Sequence, residues 1–173
     1  MNKRVLIAED DHFYRKFLID AFDKYNYKIV TAIDGNDASK FILEGLFDLI
    51  VLDFHLPGKM GDEIMREIDD RGVDTPVIVI TADDTIETER IIRSFGPAYL
   101  FIKPFIIEDM RKVVKKIFAQ KAKQYTQVAN MLEKWSVGMI GIKERVYESM
   151  SARVYETMRR PDRARRAVAN SIG

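Results

Sequence analysis

The chain has 173 residues, 47% of them hydrophobic and 32% charged, which suits one domain of about 120 to 150 residues with an appendage and excludes a second full core. Cysteine is absent, so disulfides and thiolate metal sites are excluded, a reducing cytoplasm is the expected compartment, and any metal must be held by oxygen or by the two histidines. The net charge of +1 hides an asymmetry: acids exceed bases by about five up to residue 119, and bases exceed acids by about six beyond it.

The first apolar run, Arg4-Val5-Leu6-Ile7-Ala8, has strand length and ends in Glu9-Asp10-Asp11. Met1-Asn2-Lys3-Arg4 leads straight into it, so no signal peptide is expected. Phe13, Phe17, Leu18, Ala21 and Phe22 then recur at helical spacing, and Tyr27 to Ala32 reads as a second strand. Asp34-Gly35-Asn36 is a turn that opens a helix through Ala38, Phe41, Ile42 and Leu43, closed at Gly45. The run from Phe47 to Leu52 is a buried parallel strand, closed by Asp53 and followed by Phe54-His55-Leu56-Pro57-Gly58. A helix from Gly61, with Ile64, Met65 and Ile68 inward, stops at Gly72. Thr75-Pro76 introduces a fourth strand, Val77 to Ile80, ending in Thr81-Ala82-Asp83. Asp84 with Glu87 resembles a capping box and predicts a helix over Ile86 to Phe95, ended by Gly96-Pro97. Tyr99 to Ile102 is the fifth strand and delivers Lys103-Pro104 to a last helix from Ile107.

Strict βα alternation with right-handed crossovers predicts a doubly wound, flavodoxin-like α/β fold: five parallel strands in the order 2-1-3-4-5, helices on both faces, and a helical C-terminal extension. No Gly or Pro interrupts Ile107 to Val137, which allows about 30 helical residues. Met110, Val113, Val114, Ile117 and Phe118 would cover the sheet, and Phe118, Ala122, Tyr125, Ala129 and Leu132 form a short coiled-coil-like seam. Gly138 and Gly141 break this helix, and a second helix through Val146, Tyr147, Met150, Val154 and Met158 ends before Pro161 in an arginine-rich end. The division is residues 1–119 and a basic extension, 120–173. No apolar run approaches the roughly 20 residues that span a bilayer, so no membrane contact is expected.

Strands that end in acids, a hydroxyl and an amine bring these groups to one edge of the sheet, where open α/β sheets place their chemistry. Glu9, Asp10 and Asp53 would repel each other unless a cation neutralised them. Mg²⁺ suits such oxygen ligands and shares its coordination readily with a phosphate. An Asp53 carboxylate oxygen could then attack phosphorus, with the Lys103 ammonium and the Thr81 hydroxyl on phosphoryl oxygens.

The set Glu9-Asp10, Asp53, Thr81-Ala82 and Lys103-Pro104-Phe105, with Pro57-Gly58 and Gly61, resembles the receiver domain of two-component response regulators over about residues 3 to 119. The resemblance implies that Asp53 accepts a phosphoryl group from a sensor histidine kinase or phosphotransfer protein, and that Thr81 and Lys103 sense it. It implies Mg²⁺ on Asp10 directly, on Glu9 partly through water, on Asp53, and on the backbone carbonyl of His55. It also sets His55 and Asp83 at the two variable positions that flank the phosphoryl group. One departure is visible: receivers commonly carry an aromatic three residues before the lysine, where this chain has Leu100 between Tyr99 and Phe101.

The expected activity is phosphorylation-dependent signalling rather than turnover, with the last receiver helix and the extension as a candidate homodimer or output element toward an unidentified protein target. The alternative is a non-switching receiver scaffold whose C-terminal helices bind a partner protein or nucleic acid; basic charge alone specifies no sequence. A hydrolase with an aspartyl-phosphate intermediate is disfavoured, because His55 stands where such phosphatases usually place an acid/base Asp.

Overall fold

The computed structural model describes residues 3–22, 25 and 27–138. Chain contacts divide it into two compact units, Met1–Lys115 and Lys116–Gly173. The first unit is built on five strands, β1 (Arg4–Ala8), β2 (Lys28–Ala32), β3 (Leu49–Asp53), β4 (Val77–Thr81) and β5 (Tyr99–Ile102). They form one parallel sheet in the order β2-β1-β3-β4-β5. This is the flavodoxin-like arrangement anticipated from the alternation of strands and helices. The continuous apolar runs of β3 and β4 follow from their central place: every residue of both is buried, as a strand covered on both faces requires.

Helices α1 (His12–Phe22), α2 (Gly35–Glu44), α3 (Gly61–Asp70) and α4 (Ile86–Ser94) make the crossovers. Leu6, Ile50, Leu52 and Val79 of the sheet join Ala38, Ile42, Ile64, Met65, Ile68 and Ile92 in one buried cluster. At the start of each of these helices a side chain accepts from a backbone N–H. The Asp11 carboxylate accepts from the Tyr14 N–H at 2.7 Å, and Asp34 accepts from the Asp37 N–H at 2.9 Å. Glu63 reaches back to the Met60 N–H at 2.9 Å. At α4 the cap is Thr85, whose hydroxyl accepts from the Thr88 N–H, and not Asp84 as the acid spacing suggested. Asp83 strengthens that start by accepting from the Thr85 N–H and the Thr88 hydroxyl.

Helix α5 (Ile107–Gly138) runs 32 residues, in keeping with the uninterrupted sequence. Within the first unit Met110 and Val114 are buried, and the Arg111 guanidinium donates to the Ala21 carbonyl at the end of α1. Further along α5, Phe118, Tyr125, Ala129 and Leu132 of the seam are half-buried while Ala122 is exposed. The helix expected through Val146 to Met158 and the arginine-rich end lie outside the described residues. No helix among the described residues is long and apolar enough to cross a membrane.

The loop that follows Asp53 is held by close backbone approaches. The Gly35 N–H donates to the Pro57 carbonyl at 2.9 Å, and a Cβ on Gly35 would lie 1.9 Å from the Lys59 carbonyl oxygen. The Gly61 N–H donates to the Phe54 carbonyl at 2.8 Å, and a Cβ there would come within 2.8 Å of Phe54 Cα. Gly61→Ala must therefore push the loop that follows Asp53 off its position. We expect it to destabilise the domain by about 1 to 3 kcal/mol, read as a lower urea midpoint with an unchanged slope.

Candidate functional site

Parallel register sets the site. Asp53 pairs with Ile80 and Thr81 with Ile102, so Asp53, Thr81 and Lys103 leave the sheet at one edge, from three adjacent strands. Glu9 follows β1, the other neighbour of β3, and its N–H donates to the Ala32 carbonyl at 3.1 Å. Glu9 and Asp53 are buried, at 0% and 4% exposure, whereas Asp10 is exposed at the mouth of the β1–α1 loop.

The Lys103 ammonium joins the two buried acids. It donates to Asp53 Oδ2 at 2.7 Å and to Glu9 Oε2 and Oε1 at 2.8 and 3.0 Å. The other oxygen of Asp53, Oδ1, accepts from the His55 N–H at 3.0 Å. A carboxylate taken this far from water must be matched by donors, and both acids are. The Arg15 guanidinium donates to the carbonyls of Glu9 at 2.8 Å and Asp10 at 3.0 Å, which fixes the loop bearing the acid pair.

Burial still dominates the chemistry of Glu9. Loss of water pushes its carboxyl up to about 7; the hydrogen bond from Lys103 opposes this, and the negative charge of Asp53 adds to it. For Lys103 burial works against the charged form, but the hydrogen bonds to Asp53 and Glu9 and their charges hold the ammonium above its ordinary value. Glu9, Asp10 and Asp53 can present oxygens all within 4.8 Å of one another, the one such acidic group recorded at this edge among the described residues.

Thr81 is buried at the same edge, and its hydroxyl accepts from the Asp83 N–H at 3.0 Å and lies 3.4 Å from His55 Nδ1. The imidazole of His55 is exposed. Asp83 directs its carboxylate to the start of α4, and the hydrogen bonds from Thr88 and Thr85 hold it below the usual carboxylate range. His12 is exposed, with Nδ1 at 3.5 Å from the Arg15 guanidinium, and is not in the group formed by Glu9, Asp10 and Asp53. Leu100 is half-buried against the core cluster, Phe101 is buried, and Tyr99 is exposed.

Two contributors escaped the sequence reading. Arg15 acts through backbone carbonyls, which no side-chain pattern advertises. Tyr14 lays its ring 4.4 Å from Lys103 Nζ, measured to the centroid. Its spacing to Phe17 marks an aromatic pair on one helix face, but the lysine it meets is far away in sequence.

A doubly wound parallel sheet with an acid pair, a strand-end aspartate and a lysine gathered at its carboxyl edge defines the class of α/β signalling domains that resemble receivers. Residues 5–115 match the response regulator receiver domain, and the chain belongs to that family. It is 30% identical over 122 residues to sporulation initiation phosphotransferase F of Bacillus subtilis, covering 70% of this chain and 98% of that protein. With the response regulator ArlR of Staphylococcus aureus it shares 32% identity over 118 residues, 68% of this chain and 53% of that protein. The chain thus spans about half the length of that regulator. Among solved structures, the receiver domain of the Francisella response regulator 1452 aligns with a TM-score of 0.63 and 28% identity, over 69% of this chain and 98% of that domain.

The buried acid makes the stability of the metal-free protein depend on pH. Glu9 carries an ordinary value of 4.5 when unfolded and about 7 when folded, so its favourable contribution is complete below about pH 4.5 and is lost as pH rises through about 7. In EDTA, wild type should lose stability relative to Glu9→Gln across that window, by on the order of 1 to 3 kcal/mol, in paired urea titrations.

Proposed function

We propose that Asp53 is the phosphoacceptor of a two-component signalling protein, taking its phosphoryl group from the phosphohistidine of a sensor histidine kinase or phosphotransfer protein. The observation that carries this reading is the buried Asp53 carboxylate at the end of the central strand, 2.7 Å from the Lys103 ammonium and beside a second buried acid. A carboxylate oxygen of Asp53 attacks phosphorus, the bond from phosphorus to the imidazole nitrogen breaks, and the imidazole leaves with that electron pair and takes up a proton. Lys103 supports the charge on the phosphoryl oxygens as a point charge, and the Thr81 hydroxyl can donate to another of them. The chain acts as a phosphoacceptor that assists its own labelling and hydrolysis, and not as an enzyme that turns over a substrate.

The donor set fits Mg²⁺. Glu9, Asp10 and Asp53 supply hard oxygen donors of negative charge within 4.8 Å, and the exposed side of Asp10 leaves room for water and a phosphate. The backbone carbonyl of His55 is the fourth protein ligand in this reading. When bound, the ion offsets the repulsion among the carboxylates and draws charge from an incoming phosphoryl group. The His55 N–H holds Asp53 Oδ1 at 3.0 Å and leaves Oδ2, which accepts from Lys103 at 2.7 Å, as the attacking oxygen. Phosphorylation draws Thr81 and Lys103 to the new oxygens and biases the adjoining β4–α4 and β5 surface, which a downstream protein or a second copy of the chain reads. Residues 120–173 are the output or dimerising element in this reading, and the cysteine-free chain works in the cytoplasm.

Acetyl phosphate with Mg²⁺ tests the acceptor directly. Wild type should gain one phosphoryl mass that is lost under alkaline conditions, Asp53→Asn should gain none, and EDTA should abolish the gain. Asp10→Asn should still label, with its Mg²⁺ midpoint raised about ten-fold, the equivalent of about 1.4 kcal/mol lost from the site.

A further inference from the structure

We infer that Tyr14 is a positioning residue for Lys103, its ring lying against the ammonium that the two carboxylates hold and keeping the cation aimed at Asp53. The inference rests on the reading of Asp53 as the phosphoacceptor and adds a residue to the machinery of that reaction.

A lysine reaches its target on a long flexible stem, and ordering that stem costs conformational entropy. Here the ammonium has carboxylate oxygens from Asp53 at 2.7 Å and from Glu9 at 2.8 and 3.0 Å. The Tyr14 ring lies at 4.4 Å to its centroid, well inside the roughly 6 Å reach at which a ring quadrupole attracts a cation. With the ring in place the Lys103 side chain is only 12% exposed, on a sheet edge that opens to solvent at Asp10.

The ring is itself held. The Asp11 carboxylate accepts from the Tyr14 N–H and pins the first turn of α1. Phe17 meets the Tyr14 ring at 5.7 Å and Phe105 at 6.1 Å, and Phe105 is backed by Phe17 at 5.9 Å and Phe101 at 4.7 Å. The clamp therefore joins α1 to the segment just after Lys103 and to β5. Such a contact suits a cation that must change partners: a ring face attracts without a fixed direction, so the ammonium can slide from a carboxylate to a phosphoryl oxygen while water stays out. A hydrogen-bonding neighbour would resist that slide, and an aliphatic one would exclude water without attracting the charge.

The test combines a spectroscopic signature with the labelling rate. In proton NMR of the full chain, the Lys103 Hε resonances, identified by their disappearance in Lys103→Arg, should be shifted upfield by the ring current in wild type. Tyr14→Phe should keep that shift and the rate of labelling by acetyl phosphate with Mg²⁺. Tyr14→Leu should lose the shift and label about 3- to 30-fold more slowly, the range expected for one cation–ring contact. An unshifted Lys103 in wild type overturns the contact, and this measurement needs no variant that folds. A Tyr14→Leu protein that loses the shift but labels at the wild-type rate overturns the positioning role, and a Tyr14→Phe protein as slow as Tyr14→Leu moves that role to the hydroxyl and overturns the ring argument. No label on wild type would overturn the phosphoacceptor reading instead, with the Lys103 shift still deciding the contact.

Discussion

Two carboxylates and one ammonium, buried together at the end of the central strand, are the constraint around which this domain is arranged. Glu9 and Asp53 sit where water is excluded, and two like charges there are tolerable only because the Lys103 ammonium bridges them. Single bonds cannot account for that bridge. Lys103 reaches across from β5, at the opposite edge of β4 from β3, and Glu9 comes from β1 on the other flank. Four adjacent strands, β1, β3, β4 and β5, must keep their register for one cation to touch both acids, so the polar cluster reports on their alignment.

The sheet in turn is held by ordinary means. Its central strands are apolar on both faces, helices α1, α2 and α4 begin on Asp or Thr caps, and every buried side-chain nitrogen or oxygen among the described residues has a hydrogen-bond partner. The chemistry is confined to strand ends, where a polar residue can face the opening without entering the core.

Much of this was legible in the chain. Apolar runs of four to six residues, each closed by a chemical group and followed by a helical pattern, sufficed for the strand order and for the shared edge of Glu9, Asp53, Thr81 and Lys103. What escaped was decided by direction and distance in space. Asp84 has the spacing of a cap, yet the chain turns so that the Thr85 hydroxyl meets the Thr88 amide, and Asp83 takes the remaining donors. The aromatic partner of Lys103 lies 89 positions earlier, on α1, and Arg15 acts on carbonyls that are the same in every residue. Leu100 could be identified as a departure from the family pattern, but only its half-buried place against the core shows what it does instead.

The abutment of Gly35 on the Lys59 backbone stiffens one rim of the site. On that flank the β2–α2 and β3–α3 loops are sewn to each other main chain to main chain, so neither can yield without dragging the other. Across the opening the Lys103 N–H likewise donates to the Thr81 carbonyl at 2.7 Å, and only the side-chain tips of these two residues can swap partners by rotating a few bonds. A load applied at the aspartate thus meets fixed main chain on both sides, and the travel left to it is the rotation of the Lys103 and Thr81 side chains.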